Sequence, residues 1–135
     1  MNTNANAALL LGRVLASAIF ILGGYGKLMA AAATQAGFAN IGVPMPHVAY
    51  PVSVAIELGG GLLLLLGLQT RFIALVLAAW CIATAALAHT NFAVREQEIN
   101  FLKNVCMCGG FLAFWVAGPG TFSLDALMTR RRVAV

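Results

Sequence analysis

Val48-Ala-Tyr-Pro-Val-Ser-Val-Ala-Ile-Glu57-Leu-Gly-Gly-Gly-Leu-Leu-Leu-Leu-Leu-Gly-Leu68 is the stretch that decides the fold. A helix crossing the roughly 30 Å hydrocarbon core of a bilayer needs about 20 mostly apolar residues. This stretch supplies them and carries a single charge, Glu57. Directly after it, Gly67-Leu-Gln-Thr-Arg71 is a tight polar turn, and a further apolar run extends from Arg71 to about Thr90. So short a turn makes the two helices antiparallel neighbours. Upstream, Ala7 to about Met29 is a third apolar segment. Downstream, about Phe101 to Gly118 is a fourth, stopped by Gly118-Pro119-Gly120.

Composition points the same way. Of 135 residues, 61% are hydrophobic and 9% are charged, against roughly a quarter charged in a soluble domain. That leaves too little charge to cover a water-facing surface. The expected fold is all-α, an integral membrane bundle of four helices forming a single membrane domain over 1–135, with the lipid bilayer as its first partner. The net charge of +4 is no nucleic-acid footprint. Arg130, Arg131 and Arg132 are a terminal run, and no basic face with interleaved aromatics accompanies them. The first six residues lack the positive region of a cleaved signal, and Arg13 interrupts the apolar stretch behind them, so the first helix is expected to be retained.

The remaining connections differ in kind. Ala30 to His47 is too long for a turn. Ala31 to Asn40 suits a short interfacial helix, and Gly42-Val-Pro44-Met-Pro46 then breaks the chain. Asn91 to Asn100 holds Arg95, Glu96, Gln97 and Glu98 and is expected to be a wet loop. Four spans put both termini on one side. That side collects Arg71 and the terminal arginines, with Arg13 near it, which favours cytoplasmic termini.

Ionisable residues within spans are costly and each needs an account. Arg13, Ser17, Phe20, Gly24 and Lys27 recur at helical spacing and share one face of the first helix. Arg13 either snorkels to the headgroups or turns with that stripe toward other helices. Glu57 lies near mid-span, where no headgroup reaches it. Gly60 and Gly61 share its face and allow another backbone close. Two readings stand side by side: a buried carboxylate paired with Arg13, or a site for a ligand or proton. A second polar group gathers at the membrane face opposite the tail. His89 ends the third helix, Lys27 ends the first, and Asn100, Lys103 and Asn104 share a face of the fourth. If the stripes meet, Ser17, Lys27, Glu57, Asn100, Lys103 and Asn104 line a cavity narrowing toward Glu57, with Phe20, Phe111 and Phe114 as its apolar walls. Such a cavity suits a flat ring with carbonyl oxygens, a quinone-like ligand. The bland alternative is that these groups bond only to one another.

Cys81, Cys106 and Cys108 lie in apolar runs and are expected to serve as packing residues. Cys106 and Cys108 diverge by about 200° around a helix and cannot bridge within it. No Cys-x-x-Cys, phosphate loop, His-Glu-x-x-His or other metal motif is present, and no cofactor is evident.

Taken in order, several pieces of the chain resemble the DoxX family of small bacterial membrane proteins. They are Gly12-Arg13, Gly23-Gly-Tyr-Gly-Lys27-Leu, Gly37-Phe38, Gly42-Val-Pro-Met-Pro46, Ile56-Glu57-Leu-Gly-Gly60 and Leu68-Gln-Thr-Arg71, followed by Asn100-Phe-Leu-Lys103-Asn104, Gly118-Pro-Gly120 and Ser123-Leu-Asp125. The resemblance implies a four-helix protein of the bacterial inner membrane. It further implies association with quinone-linked oxidation, membrane oxidoreductase assemblies or oxidative-stress defence. It carries over no catalytic residue, although Arg13, Glu57 and Lys103 stand in its motif positions, and it does not include the cysteines. The leading expectation is an accessory or ligand-binding subunit of a redox system, with a redox partner subunit or a second copy of itself as companion. The rival is a small-solute transporter or a structural subunit. A transporter needs a water path to Glu57, whereas a ligand-binding subunit needs an apolar pocket with one polar end.

Overall fold

The computed structural model describes residues 2–133, with side chains as far as Arg130, so the side chains of Arg131 and Arg132 lie outside the described residues. Four helices are long and apolar enough to cross a membrane: α1 (Thr3–Met29), α3 (Pro46–Leu66), α4 (Thr70–Ala88) and α5 (Arg95–Ala117). Two shorter helices complete the chain, α2 (Ala31–Asn40) between the first two and α6 (Leu124–Val133) at the end. Among the described residues there is no strand. The protein is all-α, as its apolar periodicity requires.

Local chemistry sets the helix ends. The Asn2 side chain accepts from Ala5 N at 2.9 Å and caps α1. Pro46 opens α3 at a position where a missing N–H costs nothing. Gly67 closes α3 in the left-handed conformation (φ 67°) that glycine adopts without strain. The expected loop Asn91–Asn100 is largely helical, because α5 already starts at Arg95. Glu96 and Glu98 in its first turn favour the positive end of the helix dipole. An Arg95–Glu98 pair at 2.9 Å spans one turn there.

The packing divides the bundle into two layers. α1 lies antiparallel against α3, and α4 lies along α5. Glycines set the first contact. A Cβ on Gly24 would stand 2.5 Å from Leu58 N, and one on Gly61 would stand 2.9 Å from Ile21 Cγ1. Small residues thus let the two backbones approach, as helix pairs in lipid do. The core joins the layers through Phe20, Leu64, Ile73, Leu77, Cys81 and Phe111. Phe20 and Phe111 meet edge to face with centroids 5.3 Å apart. Outside this core, large apolar side chains on every span are exposed, among them Leu15, Leu22, Phe72 and Val116. A belt of that size in water would be a liability, and lipid is the solvent it fits.

The cysteines divide. Cys81 is fully buried, Cys108 packs beside the core, and Cys106 is exposed on α5. The packing role expected for all three therefore fails for Cys106, whose side chain joins the outward-facing apolar belt. Replacing Cys106 by Ala is expected to shift stability by no more than about 0.5 kcal/mol. Cys81→Ser should cost more, since its hydroxyl has to find a partner in an apolar core. Denaturation of the two variants in detergent checks the difference, and equal losses would contradict it.

Candidate functional site

Halfway along α3 the helix widens into a π-helical turn, Ala55–Gly59. Such turns interrupt the regular ladder and are frequent at functional positions. This one carries Glu57, only 8% exposed. Both carboxylate oxygens are engaged. Lys27 Nζ donates to Oε2 at 2.5 Å, and Trp80 Nε1 donates to Oε1 at 3.1 Å. The three residues come from α1, α3 and α4, so the carboxylate ties three helices at one level. Gly23 makes room for it, since a Cβ there would lie 3.1 Å from Glu57 Oε2.

Two cavities adjoin this knot. One is a cleft of about 280 Å³ whose polar lining is Lys27, Glu57, Trp80, Thr84, His89, Asn100, Lys103 and Asn104. Six of the eight polar residues singled out from the sequence, all but Arg13 and Ser17, meet around one space. His89 Nδ1 is 2.7 Å from Gln97 Oε1, which fixes the end of α4 to the start of α5. Asn104 donates to the Asn100 carbonyl at 2.9 Å. The other cavity, about 430 Å³, is walled by apolar side chains of the first connection (Phe38, Ile41, Val43, Pro44, Met45) and of α3 and α4 (Val48, Val52, Ala83, Leu87). Its polar end is made of Lys27, Glu57, Trp80, Thr84 and His89.

Arg13 is one of the two exceptions, and its expected pairing with Glu57 is corrected. It is fully buried at the other end of the bundle. There its guanidinium donates to Leu64 O at 3.4 Å, to Leu65 O at 3.3 Å and to Phe122 O. Two of the three carbonyls, those of Leu64 and Leu65, lie in the last turn of α3, where intrahelical donors run out. Asp125 completes the same knot by accepting from Gln69 N and Thr70 N at 2.8 and 2.9 Å, which caps α4. Ser17 is also no cavity residue, as its hydroxyl bonds Val14 O within α1. Phe111 and Phe114 line a separate groove between α1 and α5. Only Phe20 among the three expected aromatic walls reaches the polar cleft.

Trp80 and Thr84 are the residues common to both cavities that sequence reasoning passed over; for Thr84 nothing in the sequence marked it out. For Trp80 a signal existed: a mid-span tryptophan carries an N–H that needs an acceptor when buried, and Glu57 was the acceptor to look for. The walls given by Phe38 to Met45 had no such signal, because the connection's return over α3 and α4 is a tertiary fact. Among the described residues no group of three His, Cys, Asp or Glu side chains is placed to hold a metal ion.

A family model described as DoxX matches residues 8–90. Inner membrane protein YqjF of Escherichia coli (strain K12) is 37% identical over 126 residues, covering 93% of this chain and 95% of that protein. Inner membrane protein YphA of the same organism is 37% identical over 122 residues, covering 87% of each. No solved structure matches the chain. The segment matched by the family model contains Lys27, Glu57, Trp80 and His89 and stops short of Asn100 and Lys103.

Proposed function

The chain belongs to the DoxX family, and from that premise we propose that it is a ligand-binding protein of the inner membrane, an accessory subunit of a quinone-linked redox system. The observation that carries this reading is the apolar cavity of about 430 Å³ closed at one end by Glu57, Lys27, Trp80, Thr84 and His89. Its size falls within the roughly 300–1,000 Å³ of small-ligand sites, and its few convergent polar groups are what orients a ligand in them. A quinone-like ring fits this division. Its apolar edge and tail pack between the first connection and α3–α4, and its carbonyl oxygen turns toward the Thr84 hydroxyl and the Lys27–Glu57 pair. The chain's own residues bind and orient; electrons come from a partner subunit or from the ligand. Both termini are cytoplasmic in this reading, with Arg71 and the terminal arginines on that side.

The polar cleft favours a second reading. It reaches Glu57 between α1, α4 and α5 with mostly polar residues in its lining, and a transporter of a small solute would need such an aqueous approach. Ligand binding separates the two. Trp80 lines the cavity, and the other tryptophan, Trp115, lies outside it. Trp115→Phe therefore leaves a single local reporter. Titrating decylubiquinone into this variant in lipid nanodiscs is expected to quench Trp80 saturably. Ala83→Phe, which fills the cavity, should weaken binding by about tenfold or more, each tenfold being about 1.4 kcal/mol. Quenching that never saturates, or that ignores Ala83→Phe, would remove the quinone site and leave the transporter reading in place.

A further inference from the structure

The apolar cavity and the polar cleft share Lys27, Glu57, Trp80, Thr84 and His89. The two spaces therefore lie side by side along one common wall, and a molecule that bridges them would have its chain in the apolar arm and its end in the polar one. The charge of the polar arm then decides what that end is. Lys27 and Glu57 are spent on each other at 2.5 Å. Lys103 belongs to neither of the ion pairs found among the described residues, Lys27–Glu57 and Arg95–Glu98. With His89 neutral, the lining carries two ammonium groups against one carboxylate, a net charge of +1. Glu96 is the other carboxylate on that side of α5, two turns before Lys103. That places it about 10 Å along the axis, about one Debye length in physiological salt, where exposed charges are largely screened. A cation at the mouth of a cleft with low-dielectric walls draws anions more strongly than one in open water.

We propose that the site takes an amphiphile with an anionic head, its chain in the apolar arm and its carboxylate or phosphate oxygens on Lys103, which sets the preference for charge. Asn100, one turn before Lys103 on the same face, contributes an amide to the same head. The proposal rests on the reading of the apolar cavity as a site for a membrane-borne ligand, and it adds an anionic class of occupant that would compete there with a neutral quinone.

The test uses the Trp115→Phe protein in nanodiscs of neutral phosphatidylcholine. The probes are a dibrominated octadecanoic acid and the alcohol of the same brominated chain, both of which quench nearby tryptophan. The acid is expected to bind about tenfold more tightly than the alcohol. Lys103→Met should bring the two within about twofold, and Lys103→Arg should keep the acid's advantage. Lys103 is exposed, so neither variant threatens the fold. Adding phosphatidylglycerol to the discs distinguishes the source of the head. Competition with the acid identifies a bilayer phospholipid, and no competition identifies a free carboxylate amphiphile. Equal binding of acid and alcohol, or a preference that survives Lys103→Met, overturns the anionic head while leaving the cavity a ligand site. Absence of saturable quenching by either probe overturns the amphiphile altogether, and the decylubiquinone titration decides the quinone site by itself.

Discussion

Lys27→Met is expected to destabilise the bundle by about 3–5 kcal/mol, the loss typical when one partner of a buried ion pair is removed. The Lys27 and Glu57 side chains are 27% and 10% exposed, so water repays little of the lost interaction. What remains after the substitution is a carboxylate held only by Trp80 at 3.1 Å. It must either stay charged without its cation or take up a proton. The double replacement Lys27→Met with Glu57→Gln removes the stranded charge and should recover at least half of the loss. Glu57→Gln alone should cost less than Lys27→Met, because the amide still accepts from Trp80 and a half-buried ammonium can turn toward water. Unfolding of the four proteins in mixed micelles provides the cycle. Strict additivity would mean that the pair contributes nothing beyond its separate members.

The identity of Glu57's partner marks the limit of what the chain shows unfolded. Apolar run length, the turn before Arg71 and the Gly-Pro break after Ala117 made four helices legible. Ala31–Asn40 was legible too, ending before the Gly42–Pro46 break. Register was not. Gly24 faces Leu58 and Gly61 faces Ile21, so α1 and α3 run past each other with Glu57 near the level of Lys27. Arg13 lies on the same stripe of α1 but further back, roughly 21 Å from that level at 1.5 Å per residue. Helical spacing says which residues share a face and leaves open how far one helix slides along its neighbour. The glycines that fix the slide were visible, but which of them meet is decided by the fit of two surfaces. The polar cleft was legible for a simpler reason. Lys27 and His89 sit at helix ends, and Asn100, Lys103 and Asn104 lie in the first three turns of α5 on the same side of the bundle, and topology alone brings these parts together. The apolar arm depends on a connection folding back over its own helices, which no periodicity records.

Gly67→Ala should be the most damaging small substitution in the chain, and it probes the opposite end of the bundle. Gly67 has φ 67°, a region that costs an alanine about 1–2 kcal/mol. Space is the larger problem. A Cβ there would stand 2.0 Å from Arg13 Nη1 and 2.5 Å from Ser123 Cβ. Relief requires moving the guanidinium away from the Leu64, Leu65 and Phe122 carbonyls, or moving the start of α6 with its bond from Asp125 N to Gly67 O at 3.0 Å. Either movement exposes a buried cation to an unsatisfied environment, so the total loss is expected to exceed about 4 kcal/mol, in the range reserved for severe lesions. Gly26→Ala is the matched control. Nothing lies within 4 Å of a Cβ at Gly26 and its φ is ordinary, so the change should be neutral or should stabilise by up to about 1 kcal/mol through helix propensity. Adding Arg13→Ala to Gly67→Ala tells strain from clash. If the overlap with the guanidinium dominates, the double variant is less damaged than the two single losses added together. If backbone strain dominates, the losses add. A Gly67→Ala protein as stable as Gly26→Ala would mean that the knot of Arg13, Gly67 and Asp125 does not hold the helix ends together.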